Sequence, residues 1–102
     1  MITGAATLAI DGDVLALTGV LDFDTVVALR EQGEQWIAGP APAAFTLDLA
    51  AVEYSSSAGL ALLLDWLRTA ARCDKQARLS GMPADMQALA RVGGLEAVLP
   101  QA

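Results

Sequence analysis

Three consecutive serines, Ser55, Ser56 and Ser57, are the residues whose type and spacing best suit chemistry in this chain. They follow an apolar, strand-like stretch and precede a leucine-rich helical pattern. A hydroxyl at the start of a helix can accept a hydrogen bond from backbone amides that have no partner within the helix. The spacing predicts that Ser57 caps this helix, with its oxygen near the amide of Gly59 or Leu60.

The same helix start also has a functional interpretation. The positive end of a helix dipole attracts anions, so the chain itself would tolerate phosphorylation of Ser57. A partner surface that covered this position would be sensitive to the added charge. Gly59 has no side chain and would allow another backbone to come close. Ser57 is therefore a candidate phosphoacceptor or partner contact, and a purely structural cap is the alternative.

The composition excludes most catalytic chemistry. The 102 residues include no histidine and one cysteine, Cys73, which excludes Ser-His-Asp and Cys-His catalysis, an internal disulfide and a cysteine-rich zinc site. Asp22 and Asp24 are close enough to suggest paired catalytic carboxylates, but Asp24 is better explained as a helix cap. No glycine-rich nucleotide motif is present. We expect no enzyme activity, no cofactor and no metal, and a single domain over residues 1–102.

The charge and hydropathy limit the classes of partner. The chain has 12 acidic and 6 basic residues, and its formal net charge of -6 disfavours nucleic acids and anionic lipid surfaces. The leucine-rich run at residues 60–67 contains Asp65 and is far shorter than the about 20 residues that span a bilayer. The first residues do not resemble a secretory signal. We expect a cytoplasmic protein that binds another protein and does not insert into the membrane.

The elements that position the serines follow the order β-β-α-β-α-β-α. Runs at 5–10 and 14–18 around Asp11-Gly12-Asp13 predict a hairpin. Asp24 is expected to start a first helix that ends at Gly39. A strand at 45–49, a second helix after the serines, a strand at 78–80, a third helix at 84–92 and an edge-covering tail complete the order. This order predicts an α/β fold, a mixed sheet of about four strands with the helices mainly on one face.

The helices leave two further questions open. A stripe with core-facing spacing runs along the second helix at Leu60, Leu63, Leu64 and Leu67. Leu62 and Trp66 lie off this stripe, so they either pack under a neighbouring helix or contact a partner. In the first helix, Gly33 interrupts the apolar face and costs about 1 kcal/mol relative to alanine, which favours either close packing there or a marginal helix.

Three segments together resemble the STAS domain, the fold of bacterial anti-sigma factor antagonists and of the cytoplasmic ends of sulfate transporters. These segments are LTGVLDFDT at 17–25, LDLAAVEYSSSAGLALLL at 47–64 and LSGMPADMQALARVGGL at 79–95. The resemblance covers almost the whole chain. Within the family, Gly59-Leu60 with the leucine run, and the G-M-P-x-D-M helix start, are most similar to the small STAS subunit of Mla-type phospholipid ABC transporters.

This resemblance implies a non-enzymatic subunit that binds and supports the transporter's ATPase subunit (MlaF-like). The transporter would maintain outer-membrane lipid asymmetry, and the chain would lie at the inner membrane through its partner. The implied contact residues are Ser55, Ser56, Ser57, Gly59, Leu62 and Trp66. The alternative is an anti-sigma factor antagonist that switches partners when Ser57 is phosphorylated. In such antagonists an aspartate precedes the phosphoacceptor, where this chain has Ser56.

Overall fold

The computed structural model describes residues 5–100. Within this range the elements follow the predicted order. The strands are β1 (Ala6–Asp11), β2 (Val14–Leu21), β3 (Ala44–Ser55) and β4 (Gln76–Ser80), the helices are α1 (Phe23–Ala38), α2 (Ser57–Arg72) and α3 (Ala84–Val92), and a short 3-10 helix covers Glu96–Val98. None of the helices in residues 5–100 is long and apolar enough to cross a membrane.

The sheet has the strand order β1-β2-β3-β4. β1 and β2 pair antiparallel as the predicted hairpin, whereas β2, β3 and β4 pair parallel. Parallel neighbours need a long connection, which α1 and α2 provide. The prediction of a mixed sheet is therefore confirmed, and the carboxyl ends of β2 and β3 meet at the edge where α1 and α2 begin.

Buried side chains alternate along the two central strands and pack under the helices: Leu15, Leu17 and Leu21 in β2, and Phe45, Leu47 and Leu49 in β3. The residues between them, such as Ala16 and Thr46, are only partly buried. Successive side chains of a strand point to opposite faces of the sheet. The helices therefore cover one face, as predicted.

The start of α1 corrects the predicted cap. Asp22, not Asp24, is the N-cap, and its carboxylate accepts hydrogen bonds from the amides of Asp24 at 3.0 Å and Thr25 at 2.9 Å. The Thr25 hydroxyl accepts in return from the Asp22 amide at 2.9 Å, which completes a capping box. Thr25 is three residues after Asp22, and this spacing favours Asp22. Asp24 lies in the first turn of α1, so both aspartates are explained by the helix start.

β3 is longer than the predicted strand at 45–49 and continues to Ser55. Its register against β2 shifts between Ala16 and Thr18 and again between Gly19 and Val20. Such irregularities add residues to one strand and break the alternation of side chains. The apolar pattern therefore ended before the strand did. At the outer edge of β4, the Leu79 amide donates to the Pro100 carbonyl at 2.8 Å, so the tail covers this edge as predicted.

Candidate functional site

The three serines lie where β3 ends and α2 begins. Ser55 is the last residue of β3 and pairs with Leu21 at the end of β2. The Ser56 amide donates to the Leu21 carbonyl at 2.9 Å, and Ser57 is the first residue of α2. The turn between strand and helix is therefore a single residue, which places the serines at the carboxyl edge of the sheet.

Ser56 is the N-cap of α2, so the prediction that Ser57 caps this helix was wrong by one residue. The Ser56 backbone is extended and its hydroxyl oxygen accepts from the Ala58 amide at 3.2 Å. The Gly59 amide donates to the Ser56 carbonyl at 3.0 Å. Three adjacent serines have the same capping chemistry, and the pairing of Ser55 with Leu21 selects which of them stands at the helix start.

Ser57 is exposed, and its hydroxyl makes no hydrogen bond to another residue between positions 5 and 100. Because the Ser56 hydroxyl caps α2, the Ser57 hydroxyl is not needed to satisfy the backbone amides at the start of this helix. The first turn of α2 also lacks an acidic residue. The hydroxyl therefore stands free at the positive end of the α2 dipole, where it could meet a partner or a modifying group.

Ser55 and Gly59 are internal. Ser55 is 1% exposed, and its hydroxyl donates to the Ser56 carbonyl at 2.9 Å. A Cβ atom added at Gly59 would overlap the Ser55 hydroxyl oxygen and crowd Leu21. Gly59 therefore allows the Ser55 side chain of the same chain, and not a partner, to come close. Neither residue offers a side-chain surface to a partner in this structure.

Leu62 and Trp66 are also internal, although they were candidates for partner contact. Leu62 is 2% exposed and Trp66 is 0% exposed. The Trp66 indole nitrogen donates to the Arg30 carbonyl of α1 at 3.1 Å. α2 is covered by the sheet on one side and by α1 on another, which explains why its apolar residues extend beyond a single stripe. Internal packing is the interpretation that the structure supports.

A groove between the first turns of α1 and α2 was missed by the sequence reasoning. This α1–α2 groove has a volume of about 270 Å³ and is lined by Phe23, Val26, Val27, Arg30, Ala58, Ala61, Leu62 and Asp65. The signal in the sequence is a pair of apolar residues, Phe23 and Val27, four positions apart at the start of α1. Ala61 lies four residues after Ser57, so the groove borders the serine.

Two carboxylates on these helices differ in their pairing. Asp65, which lines the groove, pairs with Arg30 at 2.6 Å and with Arg68 at 3.2 Å. Asp24 lies outside the lining, three residues before Val27 on α1; it is exposed and forms no ion pair within the described residues 5–100. An unpaired negative charge therefore flanks the groove beside Val27, whereas the charge of Asp65 is balanced.

A second carboxylate reaches the site from α3. Asp85 accepts from the Ser55 amide at 3.4 Å and from the Met86 amide at 2.9 Å. It connects the start of α3 to the last residue of β3. Sequence reasoning included Asp85 only as part of the G-M-P-x-D-M motif and did not assign it to the site, because the contact joins residues 30 positions apart.

The profile of the family described as "Mlab, STAS domain" matches residues 6–100. The chain is 35% identical over 91 residues to the intermembrane phospholipid transport system binding protein MlaB of Escherichia coli strain K12, covering 88% of this chain and 90% of that protein. The protein of the same name from Shigella flexneri matches to the same extent.

Two solved structures share the fold. An anti-sigma factor antagonist from Mycobacterium paratuberculosis has a TM-score of 0.73 and 21% identity, covering 97% of this chain and 85% of that one. The unphosphorylated anti-sigma factor antagonist SpoIIAA has a TM-score of 0.74 and 17% identity, with coverage of 95% and 87%. At these identities the similarity concerns the fold alone.

Proposed function

The chain belongs to the Mlab-type STAS-domain family, and on this premise we propose that it is a non-enzymatic subunit that binds and supports the ATPase of an Mla-type phospholipid ABC transporter. The MlaB relatives are phospholipid transport system binding proteins, which supports a role in phospholipid transport. In this proposal the partner is MlaF-like and hydrolyses the ATP. The chain lies on the cytoplasmic side of the inner membrane through that partner, and the transporter maintains outer-membrane lipid asymmetry.

The observation that carries the proposal is the free hydroxyl of Ser57. Its neighbour Ser56 satisfies the helix start, so that Ser57 is exposed without a structural task. A small hydroxyl can both donate and accept, and it allows a partner backbone or side chain to come close. We assign the partner contact to Ser57 and to the partly exposed Ser56 beside it. Ser55, Gly59, Leu62 and Trp66 support this contact from inside the fold.

The proposal makes the site sensitive to negative charge. An aspartate at Ser57 would face the amide end of α2, which favours an anion in the free protein. When a partner covers the same position, the carboxylate loses its water and becomes costly. The folded state and the complex should therefore respond differently to Ser57→Asp.

The test is co-purification of the full chain with the ATPase subunit of the same transporter. Ala43→Asp is the matched control, because Ala43 is exposed in the loop before β3, at the other end of the strand from Ser57. We expect a stable complex for the parent and for Ala43→Asp, and loss of the complex for Ser57→Asp with unchanged circular dichroism. A parent chain that does not bind the ATPase, or undiminished binding of Ser57→Asp, would contradict the proposal.

A second candidate function is that of an anti-sigma factor antagonist. It is favoured by the shared fold and by the exposed hydroxyl of Ser57, the position that matches the phosphoacceptor. It is weakened by Ser56, which stands where those antagonists have an aspartate. Incubation with an anti-sigma kinase and ATP, followed by mass spectrometry, distinguishes the two. A phosphoryl group on Ser57 would favour the antagonist, whereas an unmodified chain would favour the transporter subunit.

A further inference from the structure

Two large apolar side chains at the start of α1 are mostly exposed. Phe23 and Val27 are each 72% exposed, and their spacing of four residues places them on the same side of the helix. Isolated exposed apolar residues are common, but an exposed aromatic ring beside an apolar cleft is typical of protein interfaces. Both residues line the α1–α2 groove, next to the exposed Ser57.

The groove is held open by contacts between its two helices. Ala58 and Ala61 are small residues that line it on the α2 side, opposite Phe23 and Val27 on α1. The ion pair between Arg30 and Asp65 at 2.6 Å joins the two helices near the groove. The Trp66 indole donates to the Arg30 carbonyl at 3.1 Å and adds a buried link. These two contacts fix the spacing of α1 and α2 beside the groove.

The volume favours side chains over a lipid. Pockets that enclose drug-sized ligands measure about 300–1,000 Å³. The groove, at about 270 Å³, is too small to enclose a phospholipid but can receive apolar side chains from a helix laid across it. The net charge of -6 also disfavours contact with an anionic bilayer.

The charges define the partner more closely. Asp65 is balanced by Arg30 and Arg68, whereas Asp24 is exposed without an ion pair among residues 5–100. Asp24 lies three residues before Val27, so it flanks the exposed apolar pair on the same helix. A segment that buries its apolar side chains here and carries a Lys or Arg towards Asp24 would complement both features.

We infer that the α1–α2 groove is a docking site for an amphipathic helix of a protein partner, with apolar side chains in the groove and a basic residue facing Asp24 beside it. The inference rests on the proposed function, in which this helix belongs to the ATPase subunit. It extends the contact from the Ser57 hydroxyl to a surface with an apolar centre, where binding energy concentrates in most interfaces.

The test compares two exposed helical valines in the complete chain. Val27 borders the groove, whereas Val92 is 88% exposed on α3 and does not line it. Binding to the ATPase subunit is measured as Kd for Val27→Lys and Val92→Lys. We expect Val27→Lys to weaken binding about tenfold or more, and Val92→Lys to change it by less than about twofold. Val27→Asp should weaken binding less than Val27→Lys, because the partner is expected to be basic.

A second pair of variants, on α2, tests whether the loss of binding comes from the groove and not only from a change in α1. Ala61 and Ala71 are both exposed on α2, but only Ala61 lines the groove. Ala61→Lys should reduce binding and Ala71→Lys should not. All variants should retain the circular dichroism of the parent, because each changed side chain is exposed. A direct probe is an amphipathic Leu/Lys model peptide, followed by amide shifts of the isotope-labelled chain, and the same measurement is repeated with phospholipid vesicles.

The outcomes separate the two proposals. If Ser57→Asp abolishes binding while Val27→Lys and Ala61→Lys bind as the parent does, the groove inference is overturned and the proposed function stands. If the parent does not bind the ATPase but the peptide shifts amides around the groove, the proposed function fails and the docking site stands for another protein. If vesicles shift the amide signals around the groove and the peptide does not, the inference that a protein helix occupies the groove is overturned. If the chain does not bind the ATPase and the peptide shifts no amide signals, both proposals are overturned.

Discussion

The indole ring of Trp66 in α2 lies directly against the backbone of Gly33 in α1. A Cβ atom at Gly33 would overlap three atoms of the ring, and Trp66 is 0% exposed. The indole nitrogen donates to the carbonyl of Arg30, one turn before Gly33. The glycine that interrupts the apolar face of α1 is therefore a point of close approach between the two helices that border the candidate site, and its place in the helix reflects close packing.

This relationship predicts that Gly33→Ala destabilises the protein although alanine is the better helix former. The gain in helix propensity is about 1 kcal/mol, whereas overpacking a closed core typically costs about 1–3 kcal/mol. We expect a net loss in the free energy of unfolding, measured by urea denaturation. The loss should shrink in a Trp66→Leu background, where the ring is absent. A Gly33→Ala variant more stable than the parent would show that the helices can separate at no cost.

The start of α1 gives a matched pair of aspartates. Asp22→Ala removes both capping hydrogen bonds to the amides of Asp24 and Thr25, and should lower the free energy of unfolding by about 1 kcal/mol. Asp24→Ala removes only a favourable charge in the first turn, which is worth about 0.3–1 kcal/mol when exposed. Chemical denaturation of both variants should therefore place Asp22→Ala below Asp24→Ala. The reverse order would support the cap first predicted from the sequence.

The C-terminus of α1 depends on a residue from another part of the chain. Lys75, which precedes β4, donates from Nζ to the carbonyls of Ile37 at 2.7 Å and Gly39 at 3.1 Å. The last turn of α1 has no basic residue, so Lys75 supplies the positive charge that this helix end favours. Lys75→Met keeps the apolar stem and should reduce stability by about 1–2 kcal/mol.

Arg78→Met is the control for Lys75. Arg78 is exposed on β4 and forms no ion pair within residues 5–100, so its loss should change stability by less than about 0.5 kcal/mol. Thermal melts of both variants at low and high salt distinguish the two contributions. Equal melting temperatures for Lys75→Met and the parent would show that water replaces the ammonium group at this helix end.

The order of elements could be predicted from the sequence because each element has its own periodicity. The hairpin follows from two apolar runs around Asp11-Gly12-Asp13, and α3 begins and ends where Pro83 and Gly93 indicate. The end of β3 could not be predicted, because register shifts against β2 break the alternation. Both helix caps were misplaced by one or two residues, since neighbouring serines or aspartates have similar capping chemistry. Strand pairing selects Ser56, whereas the capping box with Thr25 selects Asp22.

The sequence was sufficient to predict that the serines lie at a helix start, but not which surface surrounds them. The serine stretch does lie at an exposed helix start, and Ser57 is accessible. Whether Trp66 faced a partner or the core depended on where α1 packs, which a pattern within α2 does not contain. The α1–α2 groove is a gap between two helices, so it appears only when both are placed. Phe23 had no predicted role, and Val27 was only an alternative to Val26 on the apolar face of α1.

Alanine substitutions at Ser56 and Ser57 should separate stability from binding. Ser56→Ala loses the hydrogen bond from the Ala58 amide and should lower the free energy of unfolding by about 1 kcal/mol, which urea denaturation measures. Ser57→Ala removes a hydroxyl that makes no hydrogen bond within residues 5–100, so its stability should stay within about 0.5 kcal/mol of the parent. Binding to the ATPase subunit should respond in the opposite order, with Ser57→Ala weakened about tenfold, equal to about 1.4 kcal/mol. Ser57→Ala could instead lose as much free energy of unfolding as free energy of binding. In that case the Ser57 hydroxyl stabilises the fold, and its assignment as a partner contact is wrong.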